Sequence, residues 1–63
     1  MKKRKVCIDD ADFQRAIIFQ RDLEVWIAGE LDTVGKIESF TNDSVKMADG
    51  NHYLRMNCKF FMV

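Results

Sequence analysis

Sixty-three residues, 48% of them hydrophobic, make one small domain that is too apolar for a disordered chain and too short for two cores. Ten basic and ten acidic residues cancel to a formal net charge of zero, but Lys2, Lys3, Arg4 and Lys5 hold four of the cations, leaving six cations against ten acids, or −4, elsewhere. That split excludes a domain whose body tracks phosphates, so any nucleic-acid affinity has to come from the arm at residues 1–5 or from a local patch.

In chain order, Lys5–Ile8 is a short strand in which Val6 and Ile8 face one way and Cys7 the other. Asp9, Asp10 and Asp12 then mark a helix start, because carboxylates cap free N–H groups and suit the positive end of the helix dipole. Phe13, Ala16 and Ile17 give that helix, over residues 9–19, a single apolar stripe. So short a helix needs a surface to dock on.

Residues 22–63 read as an antiparallel meander. Leu23, Val25 and Ile27 alternate with Glu24, Trp26 and Ala28, which places the first three in the core and Trp26 on the opposite face. Gly29-Glu30-Leu31-Asp32 reads as a loop, and Thr33–Thr41 as the next strand, with Gly35 as a bulge or close-packing point. Phe40 falls out of phase with Ile37, which also implies a bulge or a strand that curls between faces. Asn42-Asp43 reads as a tight turn of residues that tolerate left-handed backbone. In Ser44–Ala48, Val45 and Met47 point inward. Asp49-Gly50 is the strongest hairpin signal. His52–Met56 is a further strand, Asn57-Cys58 a one-turn break, and Lys59–Val63 a last strand with apolar residues on both faces. Such an edge must be covered, by the first strand or by another subunit.

The expected fold is therefore mainly β with one short N-terminal helix, a five-stranded antiparallel, barrel-like sheet in a single domain over residues 1–63. The stretch VGKIESFTNDSVKMADGNHYLRMNCKF, from Val34 to Phe60, resembles the small barrels of the Src-homology-three-like, Tudor-like and Sm-like kinds. That resemblance is architectural and implies a fold rather than a ligand. The glycine and asparagine constellation of an Sm-type RNA pocket and the aromatic pair of a proline-peptide groove are both missing. The size is also reminiscent of bacterial or phage accessory proteins.

Little in the chain points to catalysis. His52 is the lone histidine and sits beside the Asp49-Gly50 turn, without a nucleophile at a spacing that would pair with it. Cys7, His52 and Cys58 lack metal-ligand spacing and read more simply as two small core thiols and an exposed turn histidine. No cofactor or metal is expected. Without an apolar leader or a membrane-length run, the expected location is cytoplasmic, with reduced thiols and no membrane contact.

Two binding readings follow. Trp26, Tyr53 and Arg55, with Phe60 or Phe61 of the last strand, would form an aromatic and cationic patch of the composition that protein interfaces favour. Alternatively, Trp26 packs beneath the helix against Phe13. The arm Lys2-Lys3-Arg4-Lys5 is either a solubilising terminus or a phosphate-binding device. The expectation is a non-enzymatic protein-binding module, self-associating through the apolar last strand, with a small nucleic-acid-binding regulator as the alternative.

Overall fold

The structure, a computed structural model, describes residues 5–63. Six strands and one helix follow one another as β1 (Lys5–Cys7), α1 (Asp10–Ile18), β2 (Asp22–Ile27), β3 (Glu30–Phe40), β4 (Ser44–Met47), β5 (His52–Leu54) and β6 (Cys58–Met62). The strands form one antiparallel sheet in the order β1-β6-β2-β3-β4-β5. The sheet is open, with β1 and β5 at its two edges, so the expectation of five strands gives way to six, and closure into a barrel is not seen. The strand beyond those five is β1, at the place where Lys5–Ile8 reads as a short strand. It covers the outer edge of β6, with Lys5 opposite Met62, Val6 opposite Phe61 and Cys7 opposite Phe60. The last strand is thus sandwiched between β1 and β2, so the chain itself pairs both of its edges.

The long strand β3 serves two ladders, its first part pairing with β2 and its last part with β4. Each ladder carries a register shift, one between Val25 and Trp26 on β2 and one between Ile37 and Ser39 on β3. The second shift explains why Ile37 and Phe40 fall out of phase in the sequence yet both reach the core side. The core comprises Cys7, Phe13, Ala16, Leu23, Val25, Ile37, Val45, Met47, Phe60 and Met62. Ile27, expected inside, is exposed, because it ends β2 opposite Glu30 and lies beyond the packed layer.

Helix α1 starts as its acids dictate. The Asp12 carboxylate accepts the backbone N–H groups of Ile8 (3.1 Å) and Asp9 (3.3 Å), closing the turn that leads from β1. Those bonds, the Ile8 one foremost, hold Asp12 below the ordinary aspartate range. Phe13 and Ala16 bury fully against the sheet, while Ile17 packs at the margin. Phe13 meets Phe60 edge-on, with centroids 5.3 Å apart, and Phe40 at 5.7 Å.

Three turns differ from the sequence reading. Gly29–Asp32 is no loop: Ala28 and Gly29 alone reverse the chain, at φ values of 52° and 80°, and β3 begins at Glu30. Asn42 and Asp43 do not adopt positive φ. Their turn is held instead by Thr41, whose Oγ1 accepts the N–H groups of Asp43 (3.2 Å) and Ser44 (3.1 Å). The break before the last strand spans Arg55–Asn57, where Asn57 N–H donates to the Leu54 carbonyl, so β5 stops at Leu54 and Cys58 already belongs to β6.

Gly50 does adopt positive φ, at 96°, whereas Gly35 lies in regular strand with Met47 Cε 3.9 Å from the place of a β-carbon. Gly50→Ala is expected to cost about 1 kcal/mol because an L side chain is strained there. Gly35→Ala is expected to stay within about 0.5 kcal/mol of the parent, since the methyl reaches ordinary contact distance. Urea midpoints of the two variants check this, and equal losses would contradict it.

Candidate functional site

The aromatic and basic residues singled out in the sequence divide into two groups. Phe60, Tyr53 and Arg55 are used by the fold. Phe60 is 2% exposed and lies in the core between Cys7 and Val25 of the flanking strands, out of reach of a partner. Tyr53 packs against the core and donates its hydroxyl to the Asp32 carboxylate at 2.7 Å. That bond, with some burial and the acid's charge, pushes the phenol up to about 12. It also draws β5 back toward the start of β3. Arg55 lays its guanidinium over the Phe13 ring, 4.7 Å from the centroid. Its Nη1 donates to Asp10 Oδ1 and to the Thr41 carbonyl, both at 2.7 Å, and its Nη2 to the Ile8 carbonyl at 2.8 Å. A sequence pattern cannot reveal this role, because all of Arg55's partners are remote in the chain.

Trp26 and Phe61 remain at the outer face and come together there. Their rings meet edge to face at 6.3 Å. Trp26 therefore packs neither with Tyr53, three strands further along the sheet, nor against Phe13 beneath the helix. On the paired strands β2 and β6, Glu24 stands opposite Phe61 and Trp26 opposite Lys59. The four make a compact block, in which Trp26 Nε1 donates to Glu24 Oε1 at 3.0 Å. Glu24, Trp26 and Phe61 each make further contacts within the chain. The rows continue outward into Val6 on β1 and into Val34 and Leu31 on β3, which stand 41%, 50% and 48% exposed. A cleft of about 450 Å³ runs off one end of the block, between the Ala28-Gly29 turn and Met56, with Trp26, Cys58, Lys59 and Phe61 along it.

The thiols are free and subdued. Burial, reinforced by the Asp12 charge, pushes Cys7 up to about 11, and burial raises Cys58 as well, so both are protonated and poorly nucleophilic at neutral pH. His52 sits on the β5 edge, far along the sheet from β1 and β6, which carry the cysteines. No group of three metal-ligating side chains gathers among the described residues. Of the basic arm, Lys5 belongs to β1 and pairs with Asp12 at 3.5 Å, while Lys2, Lys3 and Arg4 lie outside the described residues. No family model, no curated protein and no solved structure matches the chain.

Proposed function

We propose that the protein is a non-enzymatic, cytoplasmic binding module that works through protein–protein contacts on the outer face of β1, β6, β2 and β3. The observation that carries this reading is the composition of that face. An antiparallel sheet with one side on its core ordinarily turns polar residues outward. Here Val6, Leu31 and Val34 stand exposed around Trp26 and Phe61, a contiguous apolar and aromatic area of the kind that marks an interaction site.

The reading takes the sheet as a partly rolled relative of the small barrels. The meander β2-β3-β4-β5, with β6 returned beside β2, and the Tyr53–Asp32 link support that view. No helix among the described residues is long and apolar enough to cross a membrane. An interface role leaves the weakly nucleophilic thiols without a chemical duty.

Capture of a protein partner from nuclease-treated host lysate tests the reading. Leu31→Glu sits on the surface and should leave the fold intact by circular dichroism while abolishing capture. Trp26→Ala should do the same. Capture that survives both changes would remove the face from consideration. Capture that vanishes with nuclease and with high salt would point instead to the arm at Lys2–Lys5 and a nucleic-acid ligand.

A further inference from the structure

A notch opens where β1 leaves the sheet. Pairing of β1 with β6 stops at Cys7 opposite Phe60, so on that register Asp9 would stand opposite Cys58. Asp9 is engaged by the helix instead. Its carbonyl accepts the N–H groups of Asp12 (3.0 Å) and Phe13 (3.3 Å), and its own N–H donates to the Asp12 carboxylate. On its other side β6 pairs with β2, where Val63 N–H donates to the Asp22 carbonyl at 3.0 Å. Hydrogen bonds in an antiparallel ladder alternate by residue pair, so Phe61 and Lys59 also bond toward β2, while Phe60 and Cys58 turn their backbone groups toward β1. Phe60 meets Cys7 there. The Cys58 N–H and carbonyl face the notch, with no residue of β1 opposite them.

The notch is a cavity of about 540 Å³, a size suited to a small ligand. Val6, Ile8 and Phe60 give it apolar walls, and Lys59 and Arg55 are its charged groups. Lys59 alternates with the buried Phe60 and so lies on the outer side, whereas the Arg55 guanidinium lies over Phe13 on the core side. Lys59 enters no ion pair among the described residues, and no carboxylate among them lines the cavity. We propose that this notch binds a small N-acylated amino acid, whether or not the outer face docks a protein. The carboxylate accepts the Cys58 N–H between the two cations, the amide N–H donates to the Cys58 carbonyl, and the side chain rests on Val6 and Ile8. The ligand thereby takes the place of the strand residue that Asp9 does not supply. Other occupants leave part of the site unused or opposed. A fatty carboxylate has no donor for the Cys58 carbonyl, an inorganic anion has no use for the apolar walls, and a free amino acid sets its ammonium beside two cations. A longer strand would run into Ile8, whose carbonyl Arg55 Nη2 holds at 2.8 Å.

Titration of isotope-labelled protein with N-acetyl-leucine, followed by backbone amide resonances, tests the proposal. The Cys58 amide should shift downfield and saturate below ~10 mM ligand. N-acetyl-leucinamide, which lacks the charge, and octanoate, which lacks the amide donor, should each bind at least ~10-fold more weakly. Lys59→Gln should weaken N-acetyl-leucine about 5- to 10-fold while its circular dichroism matches the parent. Ile8 lines this notch, and Met56 lines the separate cleft beside the Ala28-Gly29 turn. Ile8→Ser should therefore weaken binding and Met56→Ser should leave it unchanged. An acetylated tetrapeptide ending in leucine should bind no tighter than N-acetyl-leucine.

A Cys58 amide that never saturates, equal affinity for the leucinamide, or indifference to Lys59→Gln would each overturn the proposal. So would a loss on Met56→Ser without one on Ile8→Ser, which moves the ligand to the other cleft. A tetrapeptide tighter by ~10-fold or more would make a polypeptide C-terminus the occupant in place of the small molecule.

Discussion

Phe13→Ala is expected to leave most of the protein unfolded. Phe13 is the main tie between helix and sheet: it is 1% exposed, packs on Phe40 and Phe60 and lies beneath the Arg55 guanidinium. A nine-residue helix is not stable in isolation, so α1 persists only while docked. Truncating a buried phenylalanine to alanine costs about 3–5 kcal/mol once the cavity is included. A core of this size supplies only about 3–5 kcal/mol in total. The two quantities are equal within their spread, so the folded fraction should fall to half or less at room temperature. Urea titration followed by far-ultraviolet circular dichroism and Trp26 emission measures this. Phe13→Leu, which conserves most of the volume, should lose only about 1–1.5 kcal/mol. An alanine variant within about 1 kcal/mol of the parent would show that α1 docks by other means. The outer face depends on the same contact, because Phe13 supports Phe60, and Phe60 sits on β6 between Lys59 and Phe61.

Local alternation carried much of the fold in readable form. Leu23 and Val25, and Val45 and Met47, sit inward as their spacing requires, and the break in phase at Phe40 marks a real register shift. Acids ahead of Phe13 likewise start the helix where expected. What stayed hidden depends on partners remote in sequence. Lys59–Val63 offers apolar residues on both faces, so a period of two cannot tell Phe60 from Phe61. Only the pairing of Phe60 with Cys7 and Val25 sends it inward. The Ala28-Gly29 reversal was masked because alanine is a poor signal for positive φ, and Thr41 holds a turn for which Asn42 and Asp43 seemed sufficient. For the candidate site, alternation placed Trp26 outward, but its companions are Phe61, Glu24 and Lys59, chosen by strand order rather than by composition. Tyr53 and Arg55 have the composition of an interface and are spent inside the fold.

Arg55→Ala is expected to cost about 2–4 kcal/mol, an effect too large for a surface arginine and explained by where its donors go. The side chain is 17% exposed, and its fork joins three segments: the Ile8 carbonyl after β1, the Thr41 carbonyl before β4, and Asp10 at the start of α1. Removing it leaves two carbonyls to find new donors and strips the cation from the Phe13 ring. Asp10 itself is 60% exposed, so Asp10→Asn should cost under about 1 kcal/mol, as pairs open to water do. Arg55→Lys should fall between the two, near 1–2 kcal/mol, because a lysine keeps the charge but cannot serve Ile8 and Thr41 with a planar fork. In a domain of this size a loss of 2–4 kcal/mol lowers Tm by roughly 10–25 °C. The order Ala, Lys, Asn from most to least damaging is the discriminating result. If Asp10→Asn matched Arg55→Ala, the ion pair rather than the two carbonyl bonds would be the source of the stability. A second readout follows from the same geometry. Cys7 is buried beside Ile8, and its thiol should be alkylated faster in Arg55→Ala, whose β1–α1 connection has lost its tether, while the parent reacts slowly.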